Sequence, residues 1–162
     1  MTPKRGREAI LRPAVGADAA EIAEVFLAAR HEALPYLPTI HSDEETRRWI
    51  PEVEMRRSAV WVAELDGAIV GFLSLTGDHL DHLYVRPGFY RQGIGDRLLA
   101  QAKAMSPRRL RLFTFQRNDR ARAFYEARGF APIEWTNGAG NEEREPDVLY
   151  EWAPSGPPAG AG

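Results

Sequence analysis

The most constraining feature of the sequence is a strand-type segment that enters a turn rich in glycine and arginine and leaves it as an amphipathic helix. The segment reads Val85-Arg86-Pro87-Gly88-Phe89-Tyr90-Arg91-Gln92-Gly93-Ile94-Gly95-Asp96. The buried face of the following helix is predicted at Ile94, Leu98, Leu99 and Ala102, and Pro107 bounds it. A strand, a tight turn and a helix are therefore expected in direct succession.

This turn has the composition of an anion cradle. Amides at a helix N-terminus lack helical partners, and the macrodipole adds roughly half a positive charge there. Gly93 and Gly95 have no Cβ, so they can adopt unusual dihedrals and let backbone amides approach phosphate oxygens, while Arg91 offers a charged donor. The alternative is that the two glycines serve only close packing between helix and strand.

Two familiar nucleotide motifs do not fit the turn. A dinucleotide fingerprint needs a third glycine three residues after the second, and that position holds Leu98. A phosphate-loop ATPase needs a Gly-Lys-Ser/Thr ending, which is missing from this segment. The turn therefore predicts neither of these two sites.

Another patterned segment follows, Asn118-Asp119-Arg120-Ala121-Arg122-Ala123-Phe124-Tyr125-Glu126-Ala127-Arg128-Gly129-Phe130. Asn118 or Asp119 is expected to cap a short helix that ends at a left-handed Gly129. Phe124 and Tyr125 fall on one face of that helix. They form a core aromatic pair in the simplest interpretation.

Together the two segments resemble the GNAT acetyltransferase superfamily. The turn segment is similar to its pyrophosphate-binding motif Val-x-Pro-x-x-Arg/Gln-x-x-Gly-x-Gly/Ala, with matches at Val85, Pro87, Gly93 and Gly95. Tyr90 departs from the motif at the Arg/Gln position, although Arg91 and Gln92 follow at once. The aromatic segment resembles the family's Asn-x-x-Ala-x-x-Phe-Tyr-Glu-x-x-Gly-Phe sequence.

The resemblance extends from about residue 10 to 152 and implies a small bacterial-type enzyme with a single acetyltransferase domain at residues 10–153. The implied fold class is α/β (α+β), the GNAT fold: a mixed central sheet of about six to seven strands flanked by four helices, with a splayed cleft between the fourth and fifth strands. Residues 1–9 are expected to be an N-terminal extension. Residues 154–162 contain only Pro, Gly, Ala and Ser, and are expected to be a disordered tail.

The resemblance also implies that acetyl-CoA is the co-substrate and assigns residues to it. Tyr125 is expected to be the general acid that protonates the departing thiolate. The residues expected to contact the coenzyme are Leu83, Tyr84, Val85, Tyr90, Arg91, Gln92, Gly93, Ile94, Gly95, Asp96, Asn118 and Tyr125.

The acceptor side is less defined by sequence. The candidates for the general base are His79, His82, Asp78, Asp81, His31 and Glu32. Histidine titrates near neutrality, so His82 is favoured among them, against the alternative that it merely lines the sheet. His31 and Tyr36 are tentative substrate contacts, and the acidic segment 137–147 either attracts a cationic amine or forms a solvated loop. No metal is expected, because His79 and His82 lie on opposite faces of a regular strand and only a bulge would reunite them.

Local patterns predict the remaining elements. Strands are expected at residues 10–13, 59–65, 68–76, 80–85 and 110–115, with Asp66-Gly67 as a two-residue hairpin turn. A helix is expected to begin at Asp18. A further helix is expected after a capping box formed by Ser42 and Glu45, and to stop at Pro51.

Composition limits the functional classes. The chain has 162 residues, 44% of them hydrophobic, which suits one domain with a substantial core. A formal net charge of −2 does not favour electrostatic binding of nucleic acid or a membrane surface. No run approaches transmembrane length, so the cytoplasm is the default expectation.

The sequence contains no cysteine, which excludes a cysteine-bound acetyl intermediate and favours direct attack by an amine in a ternary complex. The leading hypothesis is N-acetylation of a primary amine of a small molecule by a monomer or homodimer. The alternatives are a protein or peptide N-acetyltransferase, or a coenzyme A-binding module without catalysis.

Overall fold

The computed structural model of the chain describes residues 8–154, which form an α/β fold around one mixed sheet. The strands are β1 Ile10–Pro13, β2 Ala59–Leu65, β3 Ala68–Thr76, β4 His79–Val85, β5 Leu110–Phe115, β6 Ala131–Trp135 and β7 Asp147–Trp152. They lie in the order β1-β2-β3-β4-β5-β7-β6, and β4 with β5 is the parallel pair among otherwise antiparallel neighbours. The predicted sheet is confirmed.

Helices flank this sheet on both sides. They are α1 Ala19–Ala33, α2 Asp43–Trp49, α3 Met55–Arg57, α4 Ile94–Met105 and α5 Asp119–Glu126. A π-helical turn at Ile50–Glu54 joins α2 and α3 into one continuous run. The described part of the chain therefore has four helical segments, as the fold class predicted.

Several local predictions are confirmed in detail. Ser42 Oγ accepts from the Glu45 amide at 3.0 Å, and the Glu45 carboxylate accepts from the Ser42 amide at 2.7 Å, which completes the capping box. Asp66 and Gly67 have φ of +52° and +82°, the left-handed pair that a two-residue hairpin loop requires. Gly129 ends α5 with φ of +94°.

The prediction that Pro51 stops the second helix is wrong. Proline has no N–H, so the backbone bond from residue 51 to the carbonyl one turn earlier cannot form. The helix continues by widening: the Met55 amide donates to the Ile50 carbonyl five residues earlier, and helical geometry resumes to Arg57. This turn buries Glu54, whose side chain is 1% exposed.

The sheet separates two apolar clusters that fix the flanking helices. Phe72 faces the cluster that contains Ile22 and Val25 of α1, and Leu73 faces the cluster that contains Leu98 of α4. Gly71 lies where α4 comes closest, and a Cβ there would stand 3.0 Å from the Tyr84 carbonyl oxygen and 3.1 Å from Leu98 Cδ1. The absence of a side chain at Gly71 thus sets how closely α4 packs on β3 and β4.

Little of the predicted extension and tail is described. Residues 1–7 and 155–162 lie outside the described residues, so neither terminal prediction is tested. Ala9 is buried, and its carbonyl accepts from Arg97 of α4. Among residues 8–154, no helix combines the length and the apolar character needed to cross a bilayer.

Gly71→Ala is expected to destabilise the fold by about 1–3 kcal/mol, because the added methyl overpacks a contact made partly by rigid backbone. Chemical denaturation measures this change in the free energy of unfolding. Gly16→Ala is the matched control, since a Cβ there meets nothing within 4 Å and its φ is not positive. Equal stability of the two variants would contradict close packing at Gly71.

Candidate active site

A cleft opens in the sheet where β4 and β5 separate. The two strands share one bridge pair within residues 8–154, His79 with Arg111, and the Arg111 amide donates to the Asp78 carbonyl at 2.9 Å. Beyond that point β4 pairs with β3 on one edge, and its other edge faces the opening. The splayed cleft predicted from the resemblance is present.

A β-bulge in β4 accounts for the separation. Leu75 of β3 pairs with Leu80 and Ser74 pairs with His82, so Asp81 is an extra residue on β4. Such a bulge bends its strand and increases the local twist, and it lies next to the last bridge to β5. Within residues 8–154, β4 and β5 form no further bridge pair beyond this position.

The same bulge places His79 and His82 on one face of the sheet, because their partners Thr76 and Ser74 are two residues apart. The regular-strand geometry expected from sequence does not hold here. The His79 ring lies 5.8 Å from the Phe113 ring, while the His82 ring contacts Phe26 at 5.3 Å. Residues 8–154 contain no group of three or more His, Cys, Asp or Glu side chains arranged to hold a metal ion.

Two cavities meet in the cleft. The larger, of about 410 Å³, is lined by Ala29, Ala33, Leu83, Tyr84, Val85, Phe89, Tyr90, Arg91, Gly93, Gly95, Asp96, Asn118, Arg120, Ala121, Phe124, Tyr125 and Arg128. The narrower, of about 100 Å³, is lined by Leu34, Leu80, Asp81, His82, Leu83, Tyr84, Leu112, Phe113, Thr114, Phe115, Asn118, Ala121 and Tyr125. Shared residues from β4 and α5, including Tyr84 and Tyr125, make the cavities adjoin.

The wall of the larger cavity beside α4 is the glycine-rich turn. Arg91 and Gly93 have φ of +65° and +80°, and left-handed residues of this kind occur in the backbone concavities that bind anions. The first amide bond of α4 runs from Arg97 to the Gly93 carbonyl at 3.0 Å. The amides of residues 94–96 therefore have no carbonyl of their own helix to bind.

Gly95 does not adopt the unusual dihedral angles that the sequence allowed for it. It lies inside α4 with helical backbone. A Cβ there would meet the Phe124 ring at 3.4 Å, so the residue allows the close approach of α5. Ten of the predicted coenzyme contacts line the larger cavity, whereas Gln92 and Ile94 do not. Ile94 is buried in the core against Leu98 and Gly71.

Tyr125 lies at the junction of the two cavities. Asn118 Oδ1 accepts from the Ala121 amide at 3.2 Å and caps α5, which carries the tyrosine. The Tyr125 ring packs against Phe124 and Phe130 at centroid distances of 5.1 and 5.3 Å. Burial, and secondarily the charge of Tyr84, raises the pKa of the Tyr125 phenol well above its ordinary value. The phenol is therefore neutral at physiological pH.

His82 lies in an aromatic enclosure on the narrow cavity. Its ring makes edge contacts with Phe26 and Trp49 and stacks on Tyr84 at 5.9 Å. Burial lowers the pKa of His82 to about 4, so the ring is neutral at physiological pH. Its Nε2 lies 3.7 Å from Glu54 Oε2. Sequence patterns contain no signal for Glu54, because its burial depends on the π-helical turn.

The structure places His31 and Tyr36 outside both cavities. His31 stays on α1 with 70% of its side chain exposed, 3.8 Å from an Asp43 oxygen. The Tyr36 ring lies under the Arg117 guanidinium at 3.9 Å, and its hydroxyl is buried without a hydrogen-bond partner among residues 8–154. Leu34 and Ala33 reach the cavities instead. The two tentative substrate roles remain untested predictions.

The acidic β6–β7 loop is tied to neighbouring elements by its carboxylates. Glu142 pairs with His41 at 2.7 Å, Glu143 with Arg30 at 3.0 Å and Glu145 with Arg117 at 2.7 Å. Asp147 accepts from Thr136 and from Asn141. Glu143 and Glu145 are paired with arginines, Glu142 meets a histidine, and Asp147 is bonded by neutral groups, so the loop is held against α1, the segment before α2 and the segment before α5.

The chain is similar in sequence to known acetyltransferases. The family model described as "Acetyltransferase (GNAT) domain" matches residues 56–132. The chain is 33% identical over 103 residues to "Peptidyl-lysine N-acetyltransferase YjaB" of Salmonella typhimurium, in an alignment that covers 63% of this chain and 67% of the relative. It is 34% identical over 95 residues to "Peptidyl-lysine N-acetyltransferase YiaC" of Escherichia coli, covering 57% of this chain and 62% of that relative.

Solved structures share the fold at lower identity. The apo-form of YjaB from Escherichia coli superposes with a TM-score of 0.76 at 22% identity, covering 89% of this chain and 97% of that one. The PaiA N-acetyltransferase of Thermoplasma acidophilum, solved with coenzyme A, gives a TM-score of 0.69 at 21% identity over 90% and 99% of the two chains.

The pairing of His41 with Glu142 predicts a pH-dependent brace on the β6–β7 loop. The hydrogen bond that the His41 ring donates to the Glu142 carboxylate raises the pKa of His41 above its ordinary value of 6.5. A raised folded-state pKa means that the stabilisation is complete below pH 6.5 and is lost as pH rises through the folded value. An NMR titration of His41 is expected to show the raised midpoint, which Glu142→Gln returns towards 6.5.

The melting temperature provides another readout of this brace. The melting temperature of the wild type should exceed that of Glu142→Gln most clearly in mildly acidic buffer. The difference between the two melting temperatures should shrink as the pH rises above the His41 midpoint. Glu52→Gln, an exposed change on the π-helical turn, is the control. Identical His41 midpoints in wild type and Glu142→Gln would show that the pair does not form in solution.

Proposed function

The chain belongs to the GNAT acetyltransferase family, and from that premise we propose that it transfers the acetyl group of acetyl-CoA to the side-chain amine of a lysine in a polypeptide. The observation that carries this proposal is the pair of adjoining cavities with Tyr125 at their junction. The larger cavity suits the pantetheine arm of the coenzyme, and the narrow cavity suits an unbranched amine. A thioester at the junction would face both cavities.

The donor side fits acetyl-CoA in shape and in charge. The larger cavity offers apolar walls from β4 and α5 for the pantetheine arm, and the turn at Arg91–Gly93 offers amides for the diphosphate. When bound, acetyl-CoA supplies the activated acetyl group as a thioester. The open edge of β4 at residues 83–85 would hold the arm by backbone hydrogen bonds, as the resemblance implies.

The acceptor side favours a linear amine. The narrow cavity is small and is lined by Leu34, Leu80 and Leu112, which suit an unbranched methylene chain. Two curated relatives are named peptidyl-lysine N-acetyltransferases, and a lysine side chain is such an aminoalkyl chain. These observations favour the peptide alternative over the small-molecule amine that sequence reasoning put first.

The chain's own residues can handle the protons of the reaction. As the amine nitrogen bonds the thioester carbonyl carbon, the C–S bond breaks and Tyr125 gives its proton to the leaving sulfur. His82, on the narrow cavity, takes the proton released from the amine. A neutral phenol and a neutral imidazole are the protonation states that these roles require. Exchange with solvent then resets both groups.

Tyr125→Phe is expected to lower kcat by about 100-fold or more, since general acid catalysis contributes about 10²–10⁴-fold, while the Kd for acetyl-CoA changes little. Steady-state thiol release and calorimetry measure the two quantities. Tyr150→Phe is the control, because it removes a hydroxyl that bonds Glu126 and lines neither cavity. Unchanged turnover in Tyr125→Phe would remove the assignment of Tyr125 as the acid.

An acceptor panel tests the substrate class. Lysine-containing peptides, the same peptides with acetylated lysine, polyamines and small amino compounds are compared by kcat/KM for thiol release from acetyl-CoA. The proposal expects peptides with a free lysine side chain to be preferred, with the product mass increased at that lysine. A preference for a free small amine over every peptide would return the assignment to the small-molecule hypothesis.

A further inference from the structure

Glu54 is a buried carboxylate that takes no part in the proton transfers outlined above. It projects from the π-helical turn onto the sheet, and its side chain is 1% exposed. Ser74 of β3 donates to its Oε2 at 2.5 Å, and Arg57 pairs with its Oε1 at 2.6 Å. Burying a carboxylate is costly even when it is paired, so its location calls for a physical reason.

The His82 ring also lies near Oε2 of the Glu54 carboxylate. Its Nε2 is 3.7 Å from Glu54 Oε2, the oxygen that accepts from Ser74. Ser74 and His82 are paired across β3 and β4, so one register position brings both to Glu54. The carboxylate, the hydroxyl and the imidazole thus form a compact cluster at one side of the narrow cavity, with 19% of the His82 side chain exposed.

The aromatic enclosure restricts the ring, and the burial that it causes disfavours the charged form. Trp49 and Phe26 contact the ring at 5.8 and 5.3 Å, and these walls exclude water. An imidazolium in such surroundings needs a nearby negative charge. Glu54 provides a carboxylate within 4 Å of the ring nitrogen, a distance at which opposite charges interact strongly when they are shielded from solvent.

We propose that Glu54 is a positioning residue for His82: its carboxylate stabilises the positive charge that the ring gains when it accepts the proton of the acceptor amine. This inference rests on the proposed function in requiring an amine acceptor in the narrow cavity. The proton passes from the amine nitrogen to a His82 ring nitrogen as the N–C bond forms, and Glu54 keeps its own protonation throughout.

Other charged groups also act on the His82 ring. Asp81 on the same strand favours the protonated ring, whereas Arg30 of α1, Arg57 of α3 and His79 of β4 disfavour it. Arg57 also binds Glu54, so it shares the carboxylate with His82. Glu54 lies closest to the ring nitrogen with the sign that supports proton uptake.

The first test measures His82 without any turnover. In Glu54→Gln, the NMR-titrated pKa of His82 is expected to fall by at least about one unit, because the charge is removed while the shape is kept. In Ser74→Ala, which frees Glu54 Oε2 from its hydroxyl partner, the pKa of His82 is expected to rise. Glu52→Gln on the same turn should leave it unchanged. A His82 midpoint that is equal in wild type, Glu54→Gln and Ser74→Ala would overturn the inference.

The other test uses acceptors of one shape and decreasing amine pKa. A weakly basic amine needs less help in losing its proton, so the ratio of kcat/KM between wild type and Glu54→Gln is expected to be about tenfold or more for the most basic amine and to approach one for the least basic. A merely structural Glu54 would lower all rates equally or lower only the melting temperature, and either result would contradict a positioning role.

Failure of the proposed function is distinguishable from failure of this inference. If wild type transfers acetyl groups to none of the amines, the proposed function fails, while the His82 titrations still decide whether Glu54 supports the ring. If transfer proceeds and the pKa of His82 is the same in both Glu54→Gln and Ser74→Ala, the family reaction stands and Glu54 has no part in it.

Discussion

The rest of the site depends on one irregularity in hydrogen bonding, the extra residue at Asp81 in β4. It ends the parallel pairing of β4 with β5 after His79 and Arg111, and so opens the sheet at its centre. In a continuous sheet, the backbone N–H and C=O groups of residues 83–85 would bond to the neighbouring strands on both sides. The bulge leaves one edge of that segment facing a cavity, and it also puts His82 on the face that carries Glu54.

Close packing converts this opening into a bounded site. Gly71 lets α4 approach the back of β3 and β4, which fixes the glycine-rich turn relative to the open strand edge. Gly95 lets Phe124 approach α4, which brings α5 and its Tyr125 to the junction of the cavities. The position of the Tyr125 phenol therefore depends on the lack of a side chain at Gly71 and Gly95 and on the Asn118 cap. Carboxylates of the β6–β7 loop pair with Arg30, His41 and Arg117, and the residues of this loop line neither cavity.

Sequence predicted the parts of the structure that are set by local chemistry. The hairpin at Asp66-Gly67, the capping box at Ser42 and the left-handed Gly129 each depend on residues within one turn, and each is confirmed. The π-helical turn at Pro51 and the bulge at Asp81 depend on how neighbouring elements compete for backbone bonds. The burial of Glu54 depends on the π-helical turn, and the approach of His82 to it depends on the bulge, so a regular helix or strand pattern indicates neither.

The charged residues illustrate the same limit. The acidic segment 137–147 was expected either to attract a cationic amine or to form a solvated loop, and three of its carboxylates meet partners that are distant in sequence, such as Glu143 with Arg30. His31 and Tyr36 were chosen for their place after the first helix, but α1 continues past His31 and Arg117 covers Tyr36. Contacts between residues far apart in the chain decided these positions, and one sequence does not reveal them.

The central claim is that the open edge of β4 and the turn before α4 together hold the coenzyme. Amide hydrogen exchange, followed residue by residue with and without acetyl-CoA, tests it most directly. The account predicts increased protection at residues 83–85 and 93–96 when acetyl-CoA is added. Acetyl transfer at full rate without protection in either segment, or protection confined to another face of the sheet, would contradict it.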